Sequence, residues 1–145
     1  MRYFIILSFL IFSCTSDQIK ESNIDSKALD ILSQMSLDEK VGQMAQINLT
    51  LIAKGPTKWS SSFPLEIDPK KTRKALVDFK VGSVLNTINN TAQKPETWFK
   101  TISEIQKYSM DSTRMGIPII YGIDAIHGTT YTDGATMFPQ QITTA

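Results

Sequence analysis

An α/β fold of repeated strand–helix units is predicted by three observations. Residues 117–123 (Ile117, Pro118, Ile119, Ile120, Tyr121, Gly122, Ile123) are almost free of polar side chains and are bounded by Gly116 and Asp124, as expected of a short strand buried on both faces. Two further short apolar runs, 45–51 and 81–86, precede it. Between the runs lie helical segments with recognisable starts, Asp68-Pro69 and Lys94-Pro95, so the order strand, helix, strand, helix, strand signals parallel strands joined by right-handed crossovers. Ligands of such folds gather at the carboxyl ends of the strands, which makes Asp124, with His127 three residues on, the first candidates for chemistry.

Composition narrows the class. The 145 residues are 41% hydrophobic and 20% charged, typical of a globular protein. A formal net charge of +1 gives no electrostatic case for nucleic acid, and the basic cluster Lys70, Lys71, Arg73 and Lys74 lacks interleaved aromatics, so it reads as a solvated helix face. One cysteine excludes an internal disulfide framework and a cysteine-based zinc site.

At the amino terminus, Met1 and Arg2 lead into the apolar stretch 3–12, which is too short for a bilayer span of about 20 residues but suits a secretory h-region. It meets Ser13-Cys14 and then turns polar. This resembles a bacterial lipoprotein signal, with residues 1–13 as the signal peptide; the resemblance implies cleavage before Cys14 and acylation of its thiol. The protein is then exported and held on a membrane by that lipid anchor, periplasmic or at the cell surface. Residues 14–24 are polar and aperiodic, as in a tether.

From Asp25 the pattern is helical, with Ala28, Leu29, Ile31, Leu32 and Met35 on one broad face. Ser36-Leu37-Asp38-Glu39 is a capping-box sequence that opens a second helix, along which Val41, Met44 and Ala45 continue an apolar stripe. The first strand candidate, 45–51, follows. Residues 53–67, with Gly55-Pro56, three serines and Phe63-Pro64, form a long loop. Trp59 in that loop is either a sugar-stacking platform or, more simply, a side chain that packs the loop down. Asp68 then caps a helix with Pro69 at its first position, running to about Lys80 with Ala75, Leu76 and Phe79 on its buried side. A further helix from Lys94-Pro95 carries Trp98, Ile102, Ile105 and Tyr108 at helical spacing, ends at Gly116 and delivers the chain to 117–123. The sequence ends at residue 145, where Pro139 should open another helix; three strands cannot cover their own edges, so the expectation is the front part of a longer protein.

Asp124 at a strand end is suited to bind sugar hydroxyls, act as a base or ligate a metal, or else it caps the turn into Ala125-Ile126. The D-x-x-H spacing to His127 does not amount to a metal site, because two ligands are too few and His127 is the one histidine. His127 either orients the loop by hydrogen bonding or touches a ligand. No phosphate-binding glycine loop and no nucleophile elbow occur, and no cofactor is implied.

The segment GIPIIYGIDAIHG followed by GATMFP resembles the region around the third strand of the amino-terminal barrel in glycoside hydrolase family 3, the β-glucosidase and exo-glucanase family. LSQMSLDEKVGQMAQI at 32–47 and KVGSVLN at 80–86 agree in order and spacing. The resemblance implies that residues 25–145 are part of that family's N-terminal domain, about the first three βα units of a (β/α)8 TIM barrel. It implies retaining hydrolysis of a β-glucoside or oligosaccharide, with Asp124 matching the aspartate that holds hydroxyls of the first glucosyl unit and His127 a position near the site. In the family the nucleophile comes from a later barrel strand and the acid/base from a second domain, so neither is among these residues and the 145-residue chain is expected to be inactive by itself. The rival expectations are a sugar-binding lipoprotein without catalysis and a degenerate fragment.

Overall fold

The computed structural model describes residues 17–88 and 91–139. The expected signal peptide and Cys14 lie outside them. Two compact units form, Met1–Met35 and Ser36–Ala145. In the first, helix α1 (Asp17–Gln34) begins eight residues earlier than expected, so the polar stretch read as a tether is helical from Asp17. The stretch 17–24 contains no glycine or proline to stop a helix, and its Lys, Glu, Gln and Ile are compatible with one. The apolar residues Ile24, Leu29 and Leu32 are exposed.

The second unit opens on the predicted capping box, which starts helix α2 (Leu37–Gln43). The Ser36 amide donates to Glu39 Oε2 at 2.8 Å and the Glu39 amide to Ser36 Oγ at 3.3 Å. The expected apolar stripe meets the core only at Ala45: Val41 and Met44 are exposed, and the residues α2 buries are Glu39 and Gly42. Backbone proximity selects that face. A Cβ on Gly42 would lie 2.5 Å from the carbonyl oxygens of Phe79 and Lys80, and one on Gly82 would lie 2.3 Å from the carbonyl oxygen of Gln43. The Gly82 amide donates to the Gly42 carbonyl at 3.0 Å, so two glycines allow two stretches of main chain to touch.

Strand β1 (Gln46–Asn48) follows and ends in a 3-10 turn, Leu49–Leu51. The loop across 53–67 folds back on itself. Ala53 and Ile67 form an antiparallel bridge, the Lys54 amide donates to the Glu66 carbonyl at 2.8 Å, and Leu65 and Ile67 are buried. Helix α3 (Pro69–Arg73) has the predicted Asp68 cap, whose carboxylate accepts from the amides of Lys70 and Lys71 at 2.9 and 3.1 Å. These amide donors, Lys71 first, lower the pKa of Asp68. The helix then widens to a π turn, Lys74–Asp78, closed by a bond from the Phe79 amide to the Lys74 carbonyl at 3.0 Å. Widening adds a residue to the turn and rotates Phe79 away from the row of Ala75 and Leu76, so Phe79 is exposed while Leu76 is buried.

Strand β2 (Ser83–Asn86), helix α4 (Pro95–Ser112) and strand β3 (Ile120–Ile123) complete the described elements. All three strands are parallel in the order β1-β2-β3. The strand expected over 117–123 starts at Ile120, because α4 claims the residues before it. The Gln106 side-chain amide donates to the Ile119 carbonyl at 2.8 Å and accepts from the Ile119 amide at 3.0 Å, Ser109 donates to the Ile117 carbonyl, and Pro118 has no N–H to pair.

Nor is the sheet buried on both faces. Ile47, Val84 and Tyr121 share a register and pack with Leu76 and Ile105 on the helix side. Leu85 and Gly122, one residue on, alternate to the other face with Ile120, which is 71% exposed. One face is thus open among the described residues. The Tyr121 hydroxyl is buried with no hydrogen-bond partner among them, and burial raises its pKa.

Arg114, just beyond α4, ties the end of that helix to the start of α2. Its Nε donates to Glu39 Oε1 at 3.0 Å and its Nη2 to Oε2, with the Glu39 side chain 10% exposed and the arginine 59%. The Arg114 hydrogen bonds, helped by the Ser36 amide, hold the Glu39 carboxyl down at about 2, against 4.5 ordinarily. A carboxyl with a lower pKa folded than unfolded contributes stability that is complete above the unfolded value and is lost as pH falls through the folded one. Stability should therefore decline from about pH 4.5 towards about pH 2. Glu39→Gln should flatten that slope, as urea denaturation across the window will show. Gly82→Ala should destabilise by about 1–3 kcal/mol or more, the cost of overpacking where the obstacle is main chain, measured in the same way at neutral pH.

Candidate functional site

Asp124 follows immediately on β3, at the carboxyl end of the parallel sheet where the sequence placed it. Its side chain is exposed and accepts no hydrogen bond among the described residues, so it does not cap the turn into Ala125-Ile126. The turn is closed by main chain instead, through a 3.1 Å bond from the Gly128 amide to the Ala125 carbonyl. An unpartnered carboxylate at a strand end is available to a ligand.

The loop after β3 folds over to make a cavity of about 370 Å³ lined by Asp124, Ile126, His127, Thr130, Tyr131 and Met137. Asp124 is the one carboxylate in that lining, and a volume of this size falls in the range of small-molecule sites. The structure brings His127 into the same cavity and gives it a bracing role. Its Nδ1 lies 3.1 Å from the Phe138 carbonyl oxygen, and the Phe138 amide donates to the His127 carbonyl at 3.0 Å. The imidazole thus pins the two ends of the loop while its other nitrogen remains for a ligand. Gly128, at φ +82°, sits beneath Phe138, whose Cδ2 would be 2.8 Å from an added Cβ, so this turn needs glycine twice over.

Residues from outside the loop set its position. The Tyr131 carbonyl accepts from the Gln93 amide at 2.9 Å and from Trp98 Nε1 at 2.8 Å, and the Asp133 amide donates to the Gln93 carbonyl at 2.8 Å. Gln93, 2% exposed, also accepts from the Leu65 amide through its Oε1 at 3.2 Å, linking the 53–67 loop to the cavity wall. Sequence reasoning placed Trp98 on the buried face of its helix but did not see its indole N–H as a loop anchor, and it missed Gln93, Thr130, Tyr131 and Met137. Gln93 carries no local signal, because its partners lie 28, 38 and 40 residues away. Trp59 is not packed down; it is 72% exposed, with Lys58 Nζ 4.9 Å from its ring centroid. Among the described residues no three of His, Cys, Asp and Glu converge on a metal position.

The model of the glycosyl hydrolase family 3 N-terminal domain matches residues 36–145. The chain belongs to glycosyl hydrolase family 3. The match starts at the capping box, where the second compact unit also begins. The sequence is 29% identical over 140 positions to the lysosomal beta glucosidase of Dictyostelium discoideum, covering 84% of this chain and 16% of that protein. It is 30% identical over 105 positions to the periplasmic beta-glucosidase of Salmonella typhimurium, covering 72% of this chain and 11% of that protein. The chain thus spans well under a fifth of the length of these curated relatives. The family's N-terminal domain is of the TIM-barrel type, and the neighbour order β1-β2-β3 agrees with singly wound βα units.

Trp98→Phe keeps the ring in the core and removes one of two donors to the Tyr131 carbonyl. It should destabilise by about 1 kcal/mol and speed hydrogen exchange at the Asp133 amide, measured by NMR.

Proposed function

We propose that this chain supplies the sugar-gripping rim of a β-glucosidase-type retaining hydrolase, in which Asp124 binds the hydroxyls of the glucosyl unit. The observation that carries this is the unpartnered Asp124 carboxylate at the mouth of the cavity behind β3. A carboxylate with no internal donor can accept from two sugar hydroxyls, and charged hydrogen bonds are the strong ones. His127 braces the loop and presents its second nitrogen to the same ligand. The names of the family and of the two relatives support a β-glucoside as the substrate class.

Retaining hydrolysis requires two carboxyl groups about 5–5.5 Å apart. We assign the nucleophile and the acid/base to other parts of the full-length protein, so residues 1–145 by themselves should bind a sugar without cleaving it. Export and a lipid anchor at Cys14 complete the proposal. They rest on the apolar run meeting a lone cysteine and are in keeping with the periplasmic relative. Among the described residues no helix is long and apolar enough to cross a membrane.

The test is Asp124→Asn in the full-length protein. Hydrogen bonds to a charged group contribute about 1.5–3 kcal/mol, so kcat/KM for an aryl β-glucoside should fall about 10- to 100-fold. Unchanged kcat/KM would remove Asp124 from the site.

A further inference from the structure

The carboxyl rim of the sheet holds a second polar feature, which the cavity around Asp124 does not use. Asn48 closes β1, and Thr87 follows directly on β2. The register pairs Asn48 with Leu85 and Leu85 with Gly122, so by alternation Asn48, Thr87 and Asp124 belong to one face, the open one. Thr87 and Asp124 each come one residue after the last paired couple, Asn86 and Ile123. Neighbouring strands lie about 4.8 Å apart, so these two residues are side by side on the rim. Thr87 is half-buried.

The direction of the hydrogen bonds here is determined, not chosen. The Thr50 amide, which can only donate, reaches Asn48 Oδ1 at 3.0 Å, and the Thr50 hydroxyl reaches the same oxygen at 2.9 Å. Oδ1 is therefore the acceptor end of the Asn48 side chain, and Nδ2 is the end that meets Thr87 Oγ1. Because Nδ2 can only donate, Thr87 Oγ1 accepts. The Thr87 hydroxyl proton is left to point elsewhere, since Asn48 is its one hydrogen-bond partner among the described residues.

We propose that Thr87 is a further substrate-binding residue: it donates its hydroxyl proton to an oxygen of the sugar that Asp124 holds, and Asn48 is the positioning residue that fixes the direction of donation. This rests on the reading of Asp124 as the grip on a glucosyl unit. The two side chains are complementary. The ionised carboxylate only accepts and Thr87 as placed donates, so a sugar hydroxyl can give its proton to Asp124 and accept one from Thr87. An ether or deoxy position at the same place satisfies at most one of them.

Glucose affinity and steady-state kinetics on an aryl β-glucoside, in the full-length protein, test the proposal. Thr87→Val removes the hydroxyl and keeps the shape. Asn48→Asp keeps the shape and the acceptor for Thr50 but replaces the donor with an acceptor, so Thr87 should turn its proton towards residue 48. Each change should weaken glucose binding about fivefold, Thr87→Ser should stay within about twofold of the parent, and the double variant should bind no worse than Thr87→Val alone. If the valine variant does not fold, Asn48→Asp and Thr87→Ser carry the comparison. Parental affinity in Thr87→Val or Asn48→Asp, with or without a lower melting temperature, overturns the role of Thr87. If Asp124→Asn still weakens binding in that case, the Asp124 reading survives, whereas parental affinity in Asp124→Asn overturns both.

Discussion

The architecture depends on the place where two stretches of main chain touch at Gly42 and Gly82. Any side chain at either position would enter the space of a carbonyl group, and the contact brings the end of α2 against the residues that lead into β2. The amide of Gly82 bonds to Gly42 and that of Ser83 to Ala45, so the contact runs directly into the β1–β2 ladder. The parallel register of the first two strands is set there. Parallel strands cannot be joined by a tight turn, so their alignment has to be imposed by contacts such as this.

The second imposed alignment is that of β3. The amide of Gln106 takes both polar groups of Ile119, and the Ile120 amide passes to the Gly82 carbonyl, which returns β3 to the same glycine that positions β2. Asp124 is fixed five residues beyond the Gln106 clamp, and Gln93 and Trp98 hold the loop that closes over it. A ligand site on a loop is only as well defined as the scaffold behind it, and here that scaffold is a helix, a strand and a buried glutamine.

Some carboxylates are consumed by the fold and others, Asp124 among them, accept no hydrogen bond among the described residues. Glu39 is taken by Arg114 and Ser36, Asp68 by two amides at a helix start, and Glu66 by Lys54. The lowered pKa of each records its partners. Asp124 has none among the described residues and stands where ligands of parallel sheets gather. Perturbed pKa values often point to functional sites, but here they mark structural pairs; Asp124 differs by its place at the strand end and in the cavity lining.

Local chemistry was legible wherever a few neighbouring residues settle it. The capping box at Ser36, the Asp68-Pro69 start, the strand–helix alternation and the placing of Asp124 at a strand end all follow from short-range rules, and the family resemblance follows from the same segments. Which apolar residues are buried was not legible, because Val41, Met44 and Phe79 have helical spacing yet lose the core to a glycine contact and a π turn. The beginning of β3 escaped because the competitor for Ile117 and Ile119 is a side chain on another element. The walls of the cavity escaped for the same reason. The sequence by itself determined which polar residues stand at helix starts and at the end of β3, since residue type and local order decide that. Only the tertiary structure decided which of them keep their polar groups free, since that depends on partners distant in the chain.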